Sequence, residues 1–172
     1  LMVDKKLGSA GDILVIEEFL EGEEASFIVL CDGESILPLA SSQDHKQRDE
    51  GDKGPNTGGM GAFSPTPLID EKYNKKILNE IIHPTLDELK RRNIVYRGFL
   101  YAGLMIIKED IKVLEYNCRF GDPETQPILM RMRSDFLDLC FKAARKELHN
   151  KSIEWDDRCA LGVVMASKGY PE

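Results

Sequence analysis

A chain of 172 residues, 42% apolar and 31% charged, is long enough for one domain with a substantial core and ordinary for a globular fold. Its net charge of −7 argues against non-specific attraction to nucleic acid or to an anionic membrane surface, though local cations can still hold a small anion. No apolar run reaches the roughly 20 residues that span a bilayer, and Asp4, Lys5 and Lys6 interrupt the opening residues where a signal peptide would be apolar.

The first element is Ile13 to Leu20, rich in β-formers, which reads as a strand running into a short linker. Ala25 to Cys31 and Ser35 to Ala40 are two more strands around Asp32-Gly33, a strong hairpin signal. From Ser41 to Pro65 the pattern dissolves into polar, charged and glycine-rich residues and reads as a long loop, which in a compact domain is functional or disordered. Asp70 to Asn93 is helical, with Tyr73, Ile77, Ile81 and Ile82 on one stripe and Pro84 placed to kink or divide it. Gly98 to Lys108 and Ile111 to Asn117 form a second apolar hairpin across Glu109-Asp110. A short helix follows, with Asp122 as cap and Pro123 in its first position. Another runs from Ser134 to His149, with Phe136, Leu137, Cys140 and Ala144 facing inward, and Cys159 to Ser167 is a last strand. Paired hairpins with helices against them indicate an α+β class: an antiparallel sheet with helices packed on one face.

The segment from Leu114 to Gln126 carries the chemistry. Side chains at alternate positions of a strand share a face, so Glu115, Asn117 and Arg119 project together after an apolar run. Two are hard oxygen donors, as magnesium requires at about 2.0–2.1 Å alongside water and phosphate. The third is a planar fork suited to phosphate oxygens. The competing reading is a merely solvated strand face. The turn Gly121-Asp122-Pro123 weakens it, because a helix N-terminus there adds aligned N–H groups and a positive dipole end. The set suits a Mg-nucleoside triphosphate. Cys31, Cys118, Cys140 and Cys159 make no Cys-x-x-Cys pair, which fits reduced thiols in a cytosolic protein, and alternation turns Cys118 to the buried face as a core residue.

Three further stretches sharpen the picture: Glu17 to Ser26; Gln43-Asp44-His45-Lys46 with Gly54 to Ala62; and Arg119-Phe120-Gly121-Asp122-Pro123-Glu124-Thr125-Gln126, supported by Gly98 to Met105. On these residues the chain resembles the phosphoribosylamine–glycine ligases, an ATP-grasp family of purine biosynthesis, and the likeness runs over nearly all of it. The resemblance implies an ATP-grasp core subdomain and a reaction in which ATP, glycine and 5-phosphoribosylamine give glycinamide ribonucleotide, ADP and phosphate through a glycyl phosphate. Such chemistry rests on positioning and charge neutralisation, with no protein nucleophile.

By the same resemblance, Glu17, Glu18, Phe19 and Leu20 form the hinge that reads adenine, and Glu24 accepts from the ribose hydroxyls. Glu115 and Asn117 ligate Mg²⁺ or Mn²⁺. Arg119 clamps the transferring phosphoryl group and Asp122 joins it in the catalytic set. Gly98 to Ile107 carries no additional acidic ligand, which leaves one metal or two open. The loop from Asp44 to Gly61 covers the acceptor: Lys46, Asn56, Thr57, Gly58 and Gly59 contact substrate, with His45, Arg48 and Lys53 as further candidates. Residues 1–158 read as the ATP-grasp portion, and 159–172 as a last strand opening a further region. Both ends look cut, so this stretch alone is expected to have little or no ligase activity. The expected protein is a cytoplasmic monomer that binds small molecules, neither nucleic acid nor membrane. Two alternatives stand beside it: another ATP-grasp carboxylate–amine ligase or carboxylase, and a non-catalytic nucleotide-binding module.

Overall fold

In the computed structural model, which describes Lys5 and residues 8–171, the spine is β1 (Glu23–Cys31). It lies between β2 (Ile36–Pro38) and β5 (Gly98–Ile107), and β6 (Asp110–Asn117) completes an antiparallel sheet ordered β2-β1-β5-β6. Both sequence-read hairpins are present. Asp32 builds the first turn: its buried carboxylate accepts from the N–H groups of Glu34 at 2.9 Å, Ser35 at 2.6 Å and the distant Leu148 at 3.0 Å.

Alternation along β1 and β5 divides the core. Ala25, Phe27, Val29 and Cys31 share one face with Leu100, Ala102, Leu104 and Ile106, and Ile77, Ile81 and Ile82 cover them. Those isoleucines come from α1 (Glu71–Ile77), a π turn (Leu78–Ile82) and α2 (His83–Arg91), one helical run whose π turn ends just before Pro84. A π turn there follows from Pro84, which has no N–H to donate into the ladder. Ile28, Leu30 and Tyr101 point the other way, onto Ile128 of α3 (Thr125–Arg131) and Leu139 and Ala143 of α4 (Phe136–Arg145). The α+β class holds, but helices line both faces of the sheet instead of one. β1 and β5 are apolar on both sides, which is the sequence sign of a sheet covered twice.

The stretch expected as loop is a second sheet. β3 (Gln43–Asp49) and β4 (Lys53–Ser64) pair around residues 50–52, and β7 (Ala160–Val163) adds to β4. A ladder needs only backbone donors and acceptors, which glycines and charged residues supply as well as apolar ones. Arg131 fastens this sheet to α3: its guanidinium donates to Ser64 Oγ at 3.0 Å and to the carbonyls of Arg158 at 3.0 Å and Asp156 at 3.1 Å.

Other expectations shift. Ile13 to Leu20 forms no strand: Ile13 lies in a bend, the rest has no regular structure, and Ile13, Val15, Ile16 and Phe19 are exposed. Asp122 does not cap a helix. α3 starts at Thr125 after Glu124, whose side chain makes no capping bond. α4 is phased on Phe136, Leu139 and Ala143, leaving Leu137 and Ala144 outside. The last strand is four residues long. Cys118 is exposed, because β6 ends at Asn117 and alternation stops with it. No helix of the described residues is long and apolar enough to cross a membrane.

Candidate active site

Residues opposite each other in register share a face, and this places a polar row across the four-stranded sheet. Ser26 pairs with Gly103 and Gly103 with Glu115; one level away Glu24 pairs with Met105, and on the other side Tyr101 pairs with Asn117. Glu24, Ser26, Tyr101, Glu115 and Asn117 therefore look out from one side. Leu104 pairs with Val113, so Leu114 is an extra residue in β6. This β-bulge re-aims the strand end just where Glu115 begins. Asn117 Nδ2 donates to Glu115 Oε1 at 3.2 Å, so the two side chains converge and the amide oxygen of Asn117 is turned away from its partner. Gly103 makes the space. A Cβ there would stand 3.2 Å from Glu115 Cγ and 3.4 Å from Tyr101 Cε1.

The row continues onto the edge. Ser26 and Ser42 exchange backbone bonds at 2.9 and 3.3 Å in an antiparallel bridge. Ser42, Asp44 and Lys46 alternate along that edge and so face the same side as Ser26. Lys46 Nζ meets Glu24 Oε2 at 2.9 Å. Burial pulls the Lys46 pKa down, but the hydrogen bond to Glu24 and the charges of Asp44, Glu24 and Glu115 outweigh it and hold the ammonium above its ordinary value.

Beneath lies a network that sequence reasoning did not single out. Ser26 Oγ donates to Glu124 Oε1 at 2.7 Å and lies 2.9 Å from Tyr101 Oη, and all three residues are buried. Glu124 enters from the turn before α3. Burial and the Glu124 charge push the Asp44 carboxyl up to about 6, with Glu24 adding and Lys46 opposing. The same desolvation and the Glu124 charge hold the Tyr101 phenol well above its usual value. Ser26, Asp44, Tyr101 and Glu124 all sat inside the stretches that carry the resemblance. The missing signal was their partners, 75 and 98 residues from Ser26.

The residues expected to meet the acceptor fall together. Between the pairs His45–Gly61 and Gln47–Asn56, β3 has only Lys46 while β4 carries Thr57 to Met60, so the glycine-rich stretch bows out of the ladder. Thr57 Oγ1 pins it, donating to the Lys46 carbonyl at 2.9 Å and accepting from Gly59 N–H at 3.0 Å, and Gly58 N–H donates to Tyr170 Oη at 3.2 Å. Gly59 has φ +123°, and a Cβ there would collide with Pro123 Cδ. The bow thus rests on the turn that carries Asp122. Asn56 stands at the base of the bow. Asp122 is exposed beside it, and Arg119, also exposed, donates from Nη1 to the Phe120 carbonyl at 2.9 Å. His45 lies 3.9 Å from Asp52, outside the polar row.

Glu17, Glu18, Phe19 and Leu20 lie in this stretch of no regular structure. That stretch enters β1 through Gly22, where a Cβ would run into the Ile106 carbonyl. Its backbone donors and acceptors have no ladder partner, as an adenine edge would require. Among the described residues no group of three or more His, Cys, Asp or Glu is placed to hold a metal. Glu115 and Asn117 nevertheless fit a hard divalent cation that fills its other positions with phosphate and water, and do not fit zinc or a calcium cage. A cavity of about 800 Å³ opens elsewhere, at the Cys31 end of β1 near His83, Tyr96 and Lys146, and shares no residue with the row.

Residues 1–125 match the family model described as the phosphoribosylglycinamide synthetase ATP-grasp (A) domain. The chain is 55% identical to a phosphoribosylamine–glycine ligase of Salmonella typhimurium, over 99% of this chain and 40% of that protein. It is 57% identical to one of Allochromatium vinosum, over 97% of this chain and 39% of that one. The crystal structure of phosphoribosylamine–glycine ligase from Thermotoga maritima superposes with a TM-score of 0.83 at 38% identity, covering 91% of this chain and 39% of that one. The chain thus spans about two fifths of the length of these relatives.

Proposed function

Because the chain belongs to the phosphoribosylglycinamide synthetase ATP-grasp (A) domain family, we propose that the protein carrying it is the ATP-dependent ligase that joins glycine to 5-phosphoribosylamine. The products are glycinamide ribonucleotide, ADP and phosphate. The observation that carries this reading is the convergence of Glu115 and Asn117 on the same sheet face as Glu24, which Lys46 links to the bowed Thr57–Gly59 stretch.

The exposed strip Glu17 to Leu20 offers free backbone donors and acceptors to adenine and Phe19 to its ring, and Glu24 lies at the entry to β1 to receive the ribose. Glu115 and Asn117 would hold Mg²⁺ or Mn²⁺, which when bound draws charge from the β- and γ-phosphates. Arg119, in the turn beyond β6, takes transferring phosphoryl oxygens, with Asp122 beside it. Asn56, Thr57, Gly58 and Gly59 line the acceptor, close to the turn because Gly59 abuts Pro123. Lys46 is held by Glu24, so its part is to orient that carboxylate unless substrate phosphate draws it away.

The test is ADP release by the full-length protein with Mg-ATP, glycine and phosphoribosylamine, omitting each in turn. Release that needs both acceptors supports the ligase. ATP binding without such release moves the acceptor to another substrate.

A further inference from the structure

We propose that Asp44 is the proton acceptor for the attacking amine in the second half of the reaction, with Glu124 as the fixed carboxylate that tunes it. The inference rests on the ligase reading and extends it to a residue and a step. Asp44 lies between Ser42, bridged to Ser26, and Lys46, bonded to Glu24. Alternation along the edge aims its carboxylate across the row, toward the same side as Glu24, Ser26 and Glu115. Glu124 is 2% exposed and immobilised by the Ser26 hydroxyl. Asp44 is only partly buried, and its carboxylate accepts only from its own backbone N–H among the described residues.

Two carboxylates in one desolvated pocket divide their roles. The one that is hydrogen-bonded and buried stays put, and the looser one exchanges the proton. The Ser42 hydroxyl, fully buried and without a partner, faces the same pocket. The charged and titratable groups that face Asp44 are Lys46 on its own strand, Glu24 on β1, Glu124 before α3 and the Tyr101 phenol on β5. Glu115 acts at one remove, through Lys46. A carboxyl with a pKa of about 6 is ionised at neutral pH yet more basic than an ordinary aspartate, which is what a general base requires.

The step balances. The amine nitrogen of phosphoribosylamine forms a bond to the carbonyl carbon of glycyl phosphate. The carbon–oxygen bond to phosphate breaks, and phosphate leaves with that electron pair. One nitrogen proton passes to Asp44 Oδ and thence to water.

The experiment uses the full-length protein and two acceptors: phosphoribosylamine, and hydroxylamine, which attacks acyl phosphates without a base and gives glycine hydroxamate. Asp44→Asn is expected to lose roughly 10²–10⁴-fold in ligation to phosphoribosylamine while forming hydroxamate near the wild-type rate. Its rate should also lack the acid limb near pH 6 that the wild type displays. Equal loss with both acceptors at intact Mg-ATP binding overturns the proposal. If Asp44→Asn loses Mg-ATP binding through misfolding, Asp44→Glu decides: ligation with a displaced acid limb supports the base, and an unmoved limb overturns it. A wild type that makes no hydroxamate from ATP and glycine refutes the ligase reading itself, a different failure.

Discussion

Gly103 has no side chain to offer chemistry, yet its emptiness sets where Glu115 can be. Gly103→Ala should displace the Glu115 carboxylate by a few tenths of an ångström, seen as a raised Mg²⁺ requirement with unchanged thermal stability. Removing the carboxylate outright is harsher. Glu115→Ala or Asn117→Ala should cut turnover of the full-length ligase by roughly 10²–10³, the usual loss of about 2.7–4 kcal/mol for one preorganised transition-state contact; unchanged ADP release would refute the metal assignment. Asp44 gives a signature in stability. Its folded pKa is raised to about 6, so the folded state binds the extra proton and the contribution is complete at acid pH. It is lost as pH rises through 6. Asp44→Asn, which stays neutral, should therefore melt higher than wild type above pH 7 and show no such gain below pH 4, read by thermal denaturation across that range. That Glu115 and Asn117 share a face was legible in the sequence because strand alternation is local. Asp44 and Glu124 were not, because their character comes from burial against residues far away in the chain.

Elements were legible where one face is apolar and the period is clean. Both hairpins of the first sheet and the helical run around Pro84 appear as read, since Asp32-Gly33 and Glu109-Asp110 mark turns and the isoleucines mark a stripe. Asp32 does more than turn the chain. It accepts three N–H groups, and those bonds outweigh burial and hold its carboxyl below the usual range. Asp32→Ala should destabilise by about 3 kcal/mol, measured by denaturant unfolding, because a buried donor left without a partner costs about 1–3 kcal/mol. The β3–β4 pair was illegible for a physical reason: its glycines and charges hide a ladder built from backbone alone. The stretch from Ile13 failed the opposite way. Its residues favour a strand, but a strand exists only with a neighbour to bond.

At the scale of the molecule, helices were expected on one face of the sheet although the apolar runs of β1 and β5 carried the sign of two-sided cover, and the second sheet left no such sign. Ile13, Val15, Ile16 and Phe19 are 84%, 81%, 92% and 86% exposed on a backbone that pairs with no strand among the described residues. Such an edge invites pairing, so the 172-residue chain by itself should self-associate with concentration in sedimentation velocity, and Ile16→Lys should reduce the effect. The Ser26 hydroxyl joins Tyr101 and Glu124 across 75 and 98 residues. Contacts of that span form only after the intervening loops have closed, and closure is what makes non-local structures slow to assemble. The hairpins can therefore zip early, while the pocket that tunes Asp44 waits for the last third of the chain to dock. A refolding protein would regain its compact fluorescence and secondary structure before it regains the chemistry, and the lag between the two would be the time Ser26 takes to find its partners.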